Sequence, residues 1–202
     1  MKTSSTAPFW KPDPETVAHA NVTQFAAELG IDTYENLHRW SAKHRAEFWG
    51  KTIDRLGIQF RTEPDVIVTQ PVDPRHPDWL PGARLNIVES CFQADPAATA
   101  VIYEHRGEQG EMTFGQLEAL VDRVAHGLHQ LELHRGSRIA IAMPMTVQAV
   151  AGYLGIVKAG GVVVSIADSF APGEIQTRLE IAGADAVITQ GAIHRGRRTL
   201  PM

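Results

Sequence analysis

Three arginines near the end of the sequence, Arg195, Arg197 and Arg198, are its strongest local signal for chemistry. Each guanidinium presents a fixed fork of hydrogen-bond donors that suits a phosphate group, so the cluster indicates anion binding. A solvated basic segment of no special function is the alternative interpretation.

A second polar group, Asp168, Ser169 and Glu174, surrounds the loop that leads to Pro172. They could form a catalytic group, but no base accompanies them in sequence, which disfavours that interpretation. Proline favours the first turn of a helix, and Asp and Ser favour the position before it. We interpret this group as the start of a helix.

Phosphate-binding loops of the usual glycine-rich types are absent from the sequence. Gly160-Gly161 follows an apolar helical stretch and leads into a strand, which is the reverse of the dinucleotide-binding order. Glycine after a helix is typical of a left-handed C-cap, so we interpret the pair as a helix end. The sequence therefore predicts no complete nucleotide site of its own.

Histidine and cysteine give weaker signals. Among nine histidines, His126 and His129 share one helical face but have no third metal ligand near them in sequence, so we predict no metal site. Cys91 stands beside Phe92 in an apolar stretch, and we predict a small core residue rather than a nucleophile.

Composition bounds the class of protein. The 202 residues are 44% hydrophobic, carry a net charge of −4 and include one cysteine. A weakly acidic chain without a basic stripe argues against a nucleic-acid partner. The start has no signal-peptide core and no segment has 18 consecutive apolar residues, so we expect a cytoplasmic protein with no membrane partner.

The elements that position these residues fall into three predicted segments. Residues 1–60 form a helical N-terminal leader, with one helix over Glu15–Leu29 and another that begins near Ser41 and ends at Gly57. Residues 61–84 carry five prolines and form an extended strap or linker. Residues 85–202 alternate strands and helices.

That alternation predicts an α/β fold: part of a doubly wound, mainly parallel sheet with helices on both faces. Helix signals begin at Leu85, at Thr113 with a capping-box pattern, and over 146–159 and 172–182. Strand signals lie at 100–103, 138–143, 162–166 and 185–189. Val162-Val163-Val164 has no polar alternation, as expected for a strand covered on both faces.

The order of these segments resembles the N-terminal portion of AMP-forming acyl-CoA synthetases, especially the acetyl-CoA and acetoacetyl-CoA synthetase branch. The resemblance covers nearly the whole chain and is carried by Phe9–Pro12, Leu37–Ser41, Glu47–Trp49, Trp79–Asn86, Met112–Leu117 and Ala159–Gly161. It implies that 85–202 is an incomplete N-terminal part of the AMP-binding large domain.

The resemblance also implies a reaction. Such enzymes join a small carboxylic acid to coenzyme A with ATP and Mg²⁺, through an acyl adenylate. By resemblance, Arg195, Arg198 and Ser169 fall on the path of coenzyme A, although relatives often have glycine where Ser169 stands. The leader favours a short-chain acid.

Three hypotheses follow from the sequence. The first is an acid–CoA ligase present as its N-terminal portion, with the C-terminal remainder of the enzyme as its missing partner. This chain alone is then expected to be inactive, because the family's catalytic motifs are not found in it. The second is a truncated, non-catalytic remnant or interaction module. The third is a nucleotide-binding oxidoreductase, which the absent glycine fingerprint disfavours.

Overall fold

The computed structural model describes residues 10–69, 76–105, 107–195 and 198–201, with the backbone alone described at 105, 193–195 and 198–201. The chain divides into two compact units. We call Met1–Leu56 with Pro64–Pro81 the helical unit, and Gly57–Glu63 with Gly82–Met202 the α/β unit. The predicted division at 1–60, 61–84 and 85–202 remains a prediction.

The helical unit contains α1 (Pro14–His19), α2 (Asn21–Glu28), α3 (Tyr34–Lys43) and α4 (Arg45–Leu56). The predicted single helix over Glu15–Leu29 is therefore two helices, because Ala20 adopts an extended backbone with φ −65° and ψ 133°. The predicted start at Ser41 is wrong as well, since that hydroxyl donates to the carbonyl of His38 inside α3.

Aromatic rings form most of the core of the helical unit. Phe25 is buried beside Leu37, and the ring of Phe48 lies 5.7 Å from the ring of Phe25. Trp49 contacts both Phe48 and, at 5.8 Å, the ring of Trp79. These edge-to-face pairs hold the segment around Trp79 on the helices of its own unit.

The proline-rich stretch is extended where the structure describes it. Two isolated antiparallel bridges pair its outgoing and returning halves, Thr62 with Arg84 and Val68 with Trp79. Each bridge lies within one unit, because the residues that flank Pro64–Pro81 belong to the α/β unit.

The α/β unit contains four helices and seven strands in the described residues. They are α5 (Ile87–Cys91), β1 (Thr99–His105), β2 (Glu108–Thr113), α6 (Phe114–Gln130), β3 (Arg138–Ala142), α7 (Val147–Lys158), β4 (Val162–Ile166), α8 (Pro172–Ala182), β5 (Ala186–Thr189), β6 (Ala192–Arg195) and β7 (Arg198–Pro201). β1–β2 and β6–β7 are antiparallel pairs, while β3 pairs in parallel with both β4 and β5.

The three-stranded parallel sheet has the order β4-β3-β5 and helices on both faces. Ile139 and Ile141 of the central strand pack in one cluster with Leu128 of α6 and Ile156 of α7. Ala140 and Ala142, which point to the other face, pack against α8. The predicted α/β fold class is confirmed.

Two helix ends in this unit, the start of α6 and the end of α7, are capped as predicted. Thr113 and Gln116 form a reciprocal capping box at the start of α6. At the end of α7, Gly160 has φ +81°, and the amides of Gly160 and Gly161 donate to the carbonyls of Val157 and Ile156. These two bonds are a Schellman motif, so the glycine pair ends a helix.

An ion pair joins the segment before Pro64 to α5. Arg61 Nε donates to the two carboxylate oxygens of Glu89 at 3.1 and 3.2 Å. These hydrogen bonds hold the pKa of Glu89 below its ordinary value and raise the pKa of Arg61. The pair is exposed, so it fixes the path of the segment with little gain in stability.

Within the described residues, no helix is both long and apolar enough to cross a membrane.

Candidate functional site

The carboxyl ends of the parallel strands define the place where this fold can hold a ligand. β3, β4 and β5 run in the same direction, so the residues that follow Ala142, Ile166 and Thr189 meet at one edge of the sheet. The helix after β3 and the helix after β4 lie on opposite faces. Open α/β sheets bind ligands at such a point, where the two connections part and leave a crevice.

The loop after β4 places Ser169 at this edge, with its side chain exposed. The amide of Phe170 donates to the carbonyl of Ala167 at 3.3 Å, which makes the loop a tight turn. The amide of Ala171 donates to the carboxylate of Glu174 at 3.1 Å. Pro172 is the first residue of α8. The loop is therefore the predicted helix start.

The details of that start differ from the sequence prediction. Ala171, rather than Asp168 or Ser169, is the N-cap residue, and Glu174 supplies the carboxylate from inside the helix. A carboxylate that accepts the amide of the capping residue also suits the positive end of the helix dipole. Glu174 thus has a structural partner, and Ser169 is left facing solvent.

Phe170 anchors the loop to α8. Its ring packs against the cluster of Ala140, Ala142 and Ile166, and the guanidinium carbon of Arg178 lies 3.8 Å from the ring centroid. Arg178 also donates from Nη1 to the carbonyl of Glu174 at 3.1 Å. Phe170, the residue after Ser169, is therefore held by the core cluster and by the guanidinium of Arg178.

Arg195 and Arg198 lie opposite each other in the β6–β7 pair that follows β5. Their side chains, and all of Arg197, lie outside the described part of the structure. β4 and β5 flank β3, so their carboxyl ends are separated by two strand spacings, about 10 Å. The backbone thus brings the loop of Ser169 and the approach to the hairpin to the same edge of the sheet.

A groove of about 1340 Å³ opens on the same edge, beside the ends of β3 and β5. Its walls are the β1–β2 hairpin, the loop and first turn after β3, and the residues after β5. Apolar side chains dominate the walls, including Ile102, Met112 and Met145, with Gln148 and Gln190 among the polar ones. Ser169 does not line it.

Sequence reasoning missed this groove. Three segments that are far apart in the chain build it, and one of them, β2, has the polar sequence Glu108–Thr113 with no strand pattern. A signal was present in the loop Pro144-Met145-Thr146, where an apolar side chain stands at the end of a buried strand. Met145 is 88% exposed there, which is unusual for methionine.

The histidines and Cys91 form no further candidate site in the part of the chain that the structure describes. Within the described residues, no three or more His, Cys, Asp and Glu side chains form a group that could hold a metal ion. Cys91 is exposed, and its thiol contacts the carbonyl of Ile87 at 3.4 Å, so the predicted core position is wrong. α5 is only one turn and a half long, and it buries Val88 instead.

Comparisons with known proteins agree with this geometry. A family model described as AMP-binding enzyme matches residues 88–201, and a model described as the acetyl-coenzyme A synthetase N-terminus matches residues 34–91. The first covers more than half of the chain and nearly all of the α/β unit.

Individual relatives show the same similarity. A protein of Arabidopsis thaliana named probable acyl-activating enzyme 17, peroxisomal, is 34% identical over 96% of this chain and 30% of its own length. The hexanoyl-CoA synthase of Cannabis sativa is 33% identical over 96% of this chain and 30% of its own length.

A solved structure shows the same fold. The acetoacetyl-CoA synthetase from Streptomyces lividans superposes with a TM-score of 0.87 at 26% identity, over 97% of this chain and 32% of its own. The chain spans about a third of the length of these relatives. The chain belongs to the AMP-binding enzyme family, in which it corresponds to the N-terminal part of the acyl-CoA synthetases.

Proposed function

We propose that the chain is the N-terminal part of an ATP-dependent acid–CoA ligase. The reaction converts a carboxylate, ATP and coenzyme A into acyl-CoA, AMP and pyrophosphate, through an acyl adenylate that the thiol of coenzyme A attacks. The observation that carries this proposal is the match of the α/β unit to the AMP-binding enzyme model over residues 88–201. The similarity to synthetases of coenzyme A esters supports it.

Within this reaction, we assign coenzyme A to the side of the sheet where the carboxyl ends of β3, β4 and β5 meet, which we call the carboxyl edge. Arg195 and Arg198 supply guanidinium donors for the phosphates at its nucleotide end, as their type suits and as the resemblance implies. Ser169 borders its path with an exposed hydroxyl at the end of β4. Ser169 follows β4 and the arginines follow β5, and the carboxyl ends of these two strands lie on the same side of the sheet, which supports a shared ligand.

ATP and Mg²⁺ are proposed for the longer enzyme. The chain has no phosphate loop, and Gly160-Gly161 ends α7 with a Schellman motif. Its described residues offer no metal-ligand group. The role we assign to residues 1–202 is therefore to hold coenzyme A and to support the sheet, and we expect the chain alone to be inactive.

The acid is proposed to be short. Named relatives include acetyl-CoA and acetoacetyl-CoA synthetases, whereas the hexanoyl-CoA synthase has a higher identity to this chain. Kinetics of the full-length gene product with acetate, propionate, acetoacetate and hexanoate show whether a short-chain acid or hexanoate is the preferred substrate. A kcat/KM that is highest for hexanoate would replace the short-chain assignment.

The main experiment uses the full-length gene product and residues 1–202 side by side. Release of pyrophosphate from ATP is measured with each acid, and acyl-CoA is measured by mass spectrometry after addition of coenzyme A. We expect both products from the full-length protein and neither from the chain alone. Absence of acid-dependent pyrophosphate release from the full-length protein across a wide acid panel would refute the ligase.

Placement of coenzyme A is tested by Arg195→Ala and Arg198→Ala, with Arg123→Ala on the exposed surface of α6 as the matched control. Loss of a charge-assisted hydrogen bond costs about 1.5–3 kcal/mol, so each site variant should raise the KM for coenzyme A by roughly 10- to 100-fold. Equal KM values in all three variants would contradict the placement while leaving the reaction standing.

A second candidate, a non-catalytic interaction module, draws on the exposed apolar surface. In the described part of the chain, β4 and β5 pair only with β3, so each leaves an open edge. Ile181 is 82% exposed on α8. Open edges and exposed apolar side chains favour association. Light scattering of residues 1–202 that gives a monodisperse monomer would exclude this candidate.

The third candidate, a nucleotide-binding oxidoreductase, is disfavoured by the position of Gly160-Gly161 at the end of a helix. The amides of Gly160 and Gly161 donate to carbonyls at the end of α7, and the pair leads into β4 rather than into the N-terminus of a helix, as a dinucleotide-binding loop would. Titration with a nicotinamide dinucleotide is expected to show no saturable binding, and saturation would restore the candidate.

A further inference from the structure

We propose that Arg178 is a positioning residue for coenzyme A, acting through the ring of Phe170 on the loop that carries Ser169. This proposal rests on the proposed function, because it needs coenzyme A at the carboxyl edge of the sheet. It adds a residue that the sequence analysis did not single out and that touches no proposed ligand.

The geometry links the two side chains directly. The guanidinium carbon of Arg178 lies 3.8 Å above the centroid of the Phe170 ring, and both side chains are half-buried. A cation at this distance from an aromatic face is attracted by the negative charge density of the ring. Partial burial strengthens the attraction, because water competes less for the cation.

The same guanidinium is held in place by α8. Its Nη1 donates to the carbonyl of Glu174 at 3.1 Å, one turn earlier in the helix. Glu174 in turn accepts the amide of Ala171 through its carboxylate. Arg178 therefore contacts both Phe170, near the end of the turn, and the backbone of the first turn of α8.

The turn between Ala167 and Ala171 contains Ser169, so a change in the turn changes the position of Ser169. Ser169 is the residue immediately before Phe170, and its own side chain is exposed. The ring of Phe170 packs on the core cluster and against Arg178, and these contacts anchor the residue that closes the turn. The amide of Phe170 donates to the carbonyl of Ala167 at 3.3 Å, so an anchored Phe170 limits the movement of the backbone that carries Ser169.

The shape of arginine suits it to this role better than lysine. A planar guanidinium can stack on the ring and donate to a carbonyl at the same time, whereas a lysine ammonium is a point charge that does one or the other. Arg178→Gln removes the cation, and Arg178→Lys keeps the charge without the plane. Phe170→Leu keeps an apolar side chain in the core but removes the aromatic face.

The experiment measures steady-state kinetics of acyl-CoA formation by the full-length gene product. We expect Arg178→Gln to raise the KM for coenzyme A by roughly three- to tenfold, as the strength of a partly buried cation–π pair implies. The kcat and the KM for ATP should stay within about twofold, and Arg178→Lys should recover part of the loss. Gln176→Ala, on the exposed side of the same helix, is the matched control.

Pairing the variants tests the mechanism. If Arg178 acts through the ring, the double variant Arg178→Gln/Phe170→Leu should have the same KM for coenzyme A as Phe170→Leu alone. Additive effects would overturn the proposal, and so would equal rises in the KM values for coenzyme A and ATP. Phe170→Leu keeps the test decisive if Arg178→Gln does not fold.

Two outcomes separate this proposal from the one on which it rests. If Arg195→Ala raises the KM for coenzyme A and Arg178→Gln does not, the positioning role is wrong and the ligand placement stands. If neither variant changes that KM while the enzyme still makes acyl-CoA, the placement of coenzyme A at this edge is wrong, and the positioning role falls with it.

Discussion

The helical unit and the α/β unit bury their apolar side chains in different ways. Among the described residues of the helical unit, Phe25, Ala26 and Leu37 are buried, and half-buried aromatic rings pack around them. The α/β unit has continuous clusters on both faces of its sheet, with Ile139 and Ile156 almost inaccessible to water. The comparison shows that one unit depends on ring contacts near its surface and the other on a closed core.

Truncation of one deeply buried side chain in each unit should give the largest change in the free energy of unfolding, and it tests the difference between the units. Ile156→Ala removes a side chain that is 0% exposed, and Leu37→Ala removes one that is 4% exposed. We expect losses of about 4 kcal/mol and about 2 kcal/mol, because the small cluster of the helical unit can collapse into the space. Urea unfolding followed by circular dichroism measures both, and equal losses would contradict the difference between the units.

Substitution of alanine for a glycine within a helix should give the next largest change in the free energy of unfolding. A Cβ at Gly155 in α7 would lie 2.5 Å from Val124 Cγ1, whereas a Cβ at Gly50 in α4 would lie 3.6 Å from Ile67 Cγ1. We expect Gly155→Ala to destabilise the protein by about 2 kcal/mol through overpacking. Gly50→Ala should stabilise it by about 0.5–1 kcal/mol through helix propensity. Two changes of the same sign would show that the α/β unit is no more tightly packed.

Each unit has a helix with a threonine at its N-cap, so the two units can be compared at the same residue type. Thr113 shares a reciprocal capping box with Gln116 at the start of the 17-residue α6. Thr33 accepts only the amide of Asn36, at 3.2 Å, at the start of the 10-residue α3. Thr113→Ala should cost about 1 kcal/mol and Thr33→Ala about 0.5 kcal/mol. Each Thr→Ser variant, which retains the hydroxyl, is the matched control in thermal unfolding.

The exposed Arg61–Glu89 pair should have the smallest effect, and it depends on pH. Hydrogen bonds from Arg61 hold the pKa of Glu89 below its ordinary value of 4.5. The stabilisation is therefore fully present above pH 4.5 and is lost as the pH falls through the lower pKa of the folded state. The difference in unfolding midpoint between the wild type and Glu89→Gln should shrink below pH 4.5 and in high salt. A difference that grows on acidification would contradict this sign.

The alternating part of the α/β unit could be predicted because its signals are local. β3, β4 and β5 are apolar runs with short connections, and the capping box at Thr113 and the glycines after α7 mark helix ends at fixed spacing. Such elements carry the information for their own boundaries.

Elements that depend on distant contacts could not be predicted. β2 is polar and becomes a strand because it pairs with β1, with a register shift between Thr99 and Val101. α3 has few apolar side chains and buries only Leu37 among those described, so no apolar run marks it in the sequence. The groove likewise depends on how separate segments meet.

The central position of β3 has a consequence for how the protein is made. β3 precedes both of its neighbours in the chain, and β4 and β5 add to its two sides. During synthesis on the ribosome the middle strand therefore emerges first and is already available as a template when each neighbour follows. The sheet can grow outward in the order of translation, so neither neighbour has to displace a partner that paired earlier.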